Sequence, residues 1–137
     1  LEAERYLPPS CQRVLFDIKG NDLSEVLPHG ALRGLDISPN KKLAETIIKS
    51  SADKIRVLFK HAEEFAGQAS QSIVTAAVEH MEKELGTELN RLLSLAEVNP
   101  NVRADEVEQI SARRELLGIH LRDTRVRLDA VRVIVMR

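Results

Sequence analysis

The chain has 137 residues, 43% hydrophobic and 30% charged, with a formal net charge of −1 at pH 7. That is long enough for one domain with a real core, in the ordinary proportions of a soluble globular protein, and too near neutral for a global basic field that would recruit nucleic acid. A single cysteine, Cys11, excludes an intramolecular disulfide and fits a reducing cytoplasm, and no apolar run approaches the ~20 residues of a membrane span.

The sequence begins on Leu1-Glu2 with neither an initiator methionine nor a signal-peptide pattern, which reads as part of something longer. Tyr6-Leu7-Pro8-Pro9 predicts an extended, polyproline-like entry. Arg13–Phe16 is a short β-prone run. In Asp17-Ile18-Lys19-Gly20-Asn21-Asp22, Gly20 and Asn21 suit positive φ and predict a tight turn. Leu23–Leu27 fits either a second short strand or one helical turn. Pro28-His29-Gly30 and Gly34 punctuate Ala31-Leu32-Arg33, a short helix or loop. Ser38-Pro39 has the form of a helix start, with Ser38 as N-cap and Pro39 in the first turn.

The stretch from Leu43 to Leu128 organises the chain. Apolar or small residues recur at steps of three and four, through Ile55, Leu58, Ala62, Ala66, Ala69, Ile73, Ala77, Met81, Leu85, Leu89 and Leu92. This keeps one stripe on one side of a helix. About fifty proline-free residues would make a rod of roughly 75–80 Å. Such a run either bends, near Ser50-Ser51 or Gly67, or projects as an arm. Val98-Asn99-Pro100-Asn101-Val102 ends it, because proline restricts the residue before it and offers no amide donor. A second helix is predicted from about Arg103–Asp105, with Asp105 and Glu106 at the positive end of its dipole. Its seam reads Val107, Ile110, Arg114, Leu117, Leu121, Thr124, Leu128, in a heptad-like alternation. The short loop makes the two helices antiparallel neighbours. Arg114 is expected to lay its methylenes along the seam and send its charge to solvent. The mild basic excess after Val102 reads as a solvated face or a polymer-partner surface, and Arg113, Arg122 and Arg125 are its candidate partner-binding residues. Finally, Ala130–Met136 is β-branched and almost continuously apolar, and predicts a strand pairing with Arg13–Phe16.

No catalytic signature is present. There is no phosphate-binding glycine loop and no dinucleotide fingerprint. His29, His61, His80 and His120 lack metal-ligand spacing. His80 and Glu84, four apart, read as a surface pair. Cys11 has no base or cation in the nearby sequence to activate it. Glu63-Glu64 and Asp105-Glu106 fall on solvated helix surface, where acid–base work is not supported. Tyr6, Phe16, Phe59 and Phe65 are too few to build a stacking platform for single strands.

Four stretches, in order, resemble the C-terminal end of the RapA-like family, the bacterial RNA polymerase-associated ATPases of the Swi/Snf helicase-like class. They are Glu4–Pro8, Asp17–Leu23, Ala96–Arg103 and Arg127–Val135. The most specific are the Val-Asn-Pro-Asn-Val-Arg loop and the Arg-Leu-Asp-Ala-Val-Arg ending. The resemblance implies a cytoplasmic bacterial protein that binds core RNA polymerase and promotes its recycling with ATP hydrolysis, and that contacts nucleic acid through the parent. ATP and Mg would sit in motor lobes whose motifs are absent here, so no catalytic, cofactor-binding or metal-binding residue carries over.

The expected architecture is therefore α+β and predominantly helical, with a long antiparallel hairpin on a small β-sheet formed by the two chain ends. It is a single domain at the C-terminus of a multidomain protein: a strand, turn and loop region over 1–37, a hairpin over 38–128 and a closing strand over 129–137. The expected function is a non-catalytic domain docking on RNA polymerase or on the other domains of its own chain. The alternatives are a structural or self-associating hairpin without polymerase contact, and nucleic-acid binding through the arginines.

Overall fold

A computed structural model describes residues 2–34 and 40–136. Among the described residues, a 3-10 turn at Ala3–Arg5 is followed by four helices: α1 (His29–Arg33), α2 (Lys41–Ser50), α3 (Ala52–Val98) and α4 (Ala104–Arg122). The expected Ser38 cap and Pro39 lie outside the described residues. Helix α2 is capped by Asn40, whose side-chain oxygen accepts from the Leu43 amide at 2.8 Å, satisfying one of the donors that a first turn leaves free. The helical run breaks at Ser51, one of the two places foreseen, and α3 continues unbroken past Gly67. Its end is local chemistry. The Asn99 amide donates to the Leu95 carbonyl, and the Asn99 side chain accepts from the Asn101 amide at 3.0 Å. Pro100 prevents continuation.

The chain divides into two compact units. One comprises Leu1–Ser10 with Ala69–Arg125, the other Cys11–Gln68 with Val126–Arg137. In the first, α4 returns against the second half of α3. Ala77, Met81 and Leu85 of α3 meet Leu117 and Leu121 of α4, and Tyr6 closes the cluster. These were stripe positions in the sequence, apart from Tyr6. In the second, the turn after Phe16 packs on α3, with the Phe16 and Phe65 rings edge to face at 6.1 Å.

The expected β-sheet is not formed. No strand or sheet occurs among the described residues, and the fold is predominantly helical. Around Arg13–Phe16 the only β-type pairing is one isolated antiparallel bridge, Phe16 to Asp22. The Leu23 amide also donates to the Leu15 carbonyl at 2.8 Å. The run Ala130–Met136 is not a strand, and Val131, Val133, Ile134, Val135 and Met136 are all exposed. The physical reason is proximity. Residues 15–16 find partners a few positions on, whereas pairing the two ends of the chain costs roughly 2–3 kcal/mol more loop entropy. A two-stranded ribbon returns little to offset it.

Two local expectations also change, and one open alternative is settled. Tyr6 ends a 3-10 turn instead of opening an extended segment, with its amide and that of Leu7 both donating to the Ala3 carbonyl. Leu23–Leu27 resolves as a helical turn, closed by Leu27 N–H to Leu23 C=O at 2.9 Å. Helix α4 stops at Arg122, so Thr124 and Leu128 leave the seam and Leu128 is exposed.

Candidate partner-binding surface

The α3–α4 pair is stitched by charge around a small apolar centre. Met81, Leu117 and Leu121 are essentially sealed from solvent. Directly beside them, Glu82 of α3 receives the Arg114 guanidinium through Nε, and Arg122 stands 3.9 Å away on its other oxygen. Positions 114, 118 and 122 are successive steps of four on α4, so they share one face. Gly118 is buried between the two arginines. A Cβ there would meet Met81 Cε at 3.5 Å and Arg122 Nη1 at 2.8 Å. The absence of a side chain is what lets the Arg122 guanidinium lie back over the helix toward Glu82. Arg114, expected to send its charge to solvent, ends in an ion pair between the helices.

The N-terminal turn is held by two more ion pairs. Arg5 donates to Glu84 of α3, and Arg113 of α4 donates to Glu2. Glu84 also lies 3.9 Å from His80 Nε2, placing the His80–Glu84 surface pair where its spacing suggested. The His80 ring meets Tyr6 edge on at 5.5 Å, and the Arg5 guanidinium stands 5.8 Å over the Tyr6 ring, within cation–π range. The Tyr6 hydroxyl is buried beside the Glu84 carboxylate. Burial, and then the neighbouring Glu84 carboxylate, push its pKa above the usual value of 10.0, with Arg5 and Arg113 pulling the other way.

The three arginines proposed from sequence are thus brought into one unit, and each already has a partner. Arg113 is taken by Glu2 and Arg122 by Glu82. Arg125, the most exposed of the three, pairs with Asp123 at 3.3 Å and reaches the Arg122 and Thr124 carbonyls. What they offer a partner is a half-exposed mixed-charge surface, because each positive charge is partly compensated. Beside them, Leu116 and Ile119 leave the outer side of α4 apolar and open, at 54% and 59% exposure. Sequence reasoning missed Glu2, Glu82 and Tyr6. Glu82 and Glu84 carried a faint signal, as acids set among the stripe positions Met81 and Leu85. Cys11 is exposed. Among the described residues, no group of three or more His, Cys, Asp or Glu could hold a metal ion, and no helix is long and apolar enough to cross a membrane.

The family described as RNA polymerase recycling family C-terminal matches residues 1–136. The chain belongs to this RapA C-terminal family. Three of the four stretches that carried the resemblance have visible structural jobs in a RapA C-terminal domain. The Val98–Arg103 loop turns the chain from α3 into α4, and Arg103 then pairs with Asp105 at 2.7 Å in the first turn. The Asp17–Asp22 stretch is a turn wrapped around one carboxylate. Asp17 accepts from the Lys19 and Asn21 amides and from the Asn21 side chain, at 2.8–2.9 Å. The closing Arg127–Val135 stretch is exposed throughout.

Proposed function

We propose that this chain is a non-catalytic domain of an ATP-dependent, RNA polymerase-associated transcription regulator, and that it acts in polymerase recycling by contacting core polymerase or the motor domains of its own protein. The single observation that carries this reading is the family match over residues 1–136. The arrangement suits a docking role. A charge-stitched helix pair offers exposed apolar side chains, Leu116 and Ile119, beside half-exposed arginines. A surface of this mixed kind suits protein contact better than a bare phosphate backbone, which recruits uncompensated cations. ATP and Mg belong to the motor lobes of the whole regulator.

The test is binding of the chain to core RNA polymerase at low and moderate salt. Saturable binding that survives moderate salt, and weakens when Leu116 and Ile119 are both replaced by Ser, supports the polymerase contact. A folded chain that does not bind polymerase, but binds the motor domains of its own protein, assigns the surface to the inside of the regulator. Binding to neither removes the proposal. The same two side chains also favour a second reading, a structural module that pairs with another copy through the outer side of α4. Light scattering that reports a monomer at every concentration rejects it.

A further inference from the structure

The second unit has a surface feature that the helix pair does not share. The turn Ile18-Lys19-Gly20 stands beside the first turns of α3 and leaves an open groove of about 320 Å³, with Val57 and Leu58 along its floor and Lys54 and His61 on its side. The floor is apolar and wet: Ile18 is 63% and Val57 58% exposed. The rim is cationic. Lys19 enters from the turn and Lys54 from α3, and the acid among the lining residues, Asp53, pairs at the surface with Arg56 at 3.2 Å. The turn itself is firm. Gly20 sits at φ +88°, a conformation open to glycine, and the Asp17 hydrogen bonds lock the loop around it. Among the described residues, nothing lies within 4 Å of the place where a Cβ on Gly20 would point, so an incoming backbone can approach closely.

We infer that this groove seats a segment of a partner protein that carries an apolar anchor side chain flanked by carboxylates. The volume is at the small end of ligand sites and fits one or two apolar side chains. Apolar floor and cationic rim each call for their complement in the same ligand. A nucleic-acid backbone would satisfy Lys19 and Lys54 but leave Ile18 and Val57 against charged phosphate and sugar, so an acidic peptide is the better match. Rim charges supply steering and salt dependence, and the anchor supplies salt-independent affinity. The inference is independent of the polymerase reading, because the groove belongs to the other unit and its test uses no polymerase.

The experiment is fluorescence anisotropy on the full chain with short labelled peptides. One carries Leu and Phe among Asp and Glu, one carries the same acids spaced by Gly, and one carries the same apolar residues among Lys. Labelled oligouridylate is the nucleic-acid probe. The acidic apolar peptide is expected to bind saturably and the other peptides not. Lys19→Glu with Lys54→Glu should weaken it roughly tenfold at low salt and much less at moderate salt. Val57→Ser should weaken it at both. All three side chains are on the surface, so the helical circular dichroism signal should be unchanged. Three results each overturn the inference: no saturable binding of the acidic apolar peptide, binding indifferent to the variants, or oligouridylate as the one probe that binds and is lost with Lys19 and Lys54.

Discussion

Replacing Gly118 by Ala should stabilise the protein slightly, although Gly118 is buried in a helix contact. In a helix interior, Gly→Ala gains about 0.8–1.0 kcal/mol of backbone propensity. Against this, the new methyl would lie 2.8 Å from Arg122 Nη1 and 3.5 Å from Met81 Cε. The Met81 distance is an ordinary contact. The Arg122 distance is too short, but it involves the far end of a flexible, largely exposed side chain, which can swing away. What is lost is its 3.9 Å approach to Glu82, an exposed pair worth about 0.2–1 kcal/mol. The net change is therefore about −0.2 to 0.8 kcal/mol, centred on a small gain. Gly86 on α3, with nothing among the described residues within 4 Å of its Cβ position, calibrates the scale, and Gly86→Ala should gain the full amount. Gly118→Leu should instead force Met81 aside and cost about 1–3 kcal/mol. Urea denaturation followed by circular dichroism measures all three. In the Gly118→Ala background, Arg122→Ala should be nearly neutral, because its pairing is already gone. The reasoning is refuted if Gly118→Ala costs more than about 1 kcal/mol, or if Arg122→Ala is equally costly in both backgrounds.

Met81→Ala removes a side chain with no exposed area and should cost about 2–5 kcal/mol, a large share of a typical domain's stability, read as a lower urea midpoint. Tyr6 is the single tyrosine and there is no tryptophan, so the tyrosinate absorbance band reports it alone. Because its folded pKa is raised, the associated stability is intact below the unfolded value near 10 and lost as pH climbs through the folded one. The absorbance midpoint should lie above 10 and coincide with loosening of the Tyr6 contacts, and a midpoint at or below 10 contradicts the burial of the ring. Asp17 has the opposite sign. Hydrogen bonds from the Asn21 side chain, then from backbone amides, hold its pKa below 3.8. The turn should therefore keep its form above about pH 4 and lose it only as pH falls through the lower folded value. The Lys19 and Asn21 amide shifts, followed by NMR on acidification, check this.

The helical part of the fold was written into local pattern. Steps of three and four named Ala77, Met81, Leu85, Leu117 and Leu121 as one seam. Asn99-Pro100-Asn101 marked where the chain turns, and Gly20 marked the tight turn that needs a positive φ. These depend on backbone geometry and on neighbours close in sequence, which is why they are legible there. The β-branched ending had the composition of a strand, but a strand needs a partner backbone, and composition cannot supply one. Residues 15–16 pair locally with residues 22–23, and Val131–Met136 stay exposed. Partner choice across the chain was decided only by the tertiary structure. It brought Tyr6, distant in sequence from both helices, into their core, and it tied Arg113 to Glu2 and Arg114 to Glu82. The sequence alone determines which side of each helix is apolar and where α3 must stop; the end of α4 at Arg122, short of the expected Thr124 and Leu128, was not legible. Which charge meets which, and whether an arginine is available to a partner, depends on long-range packing.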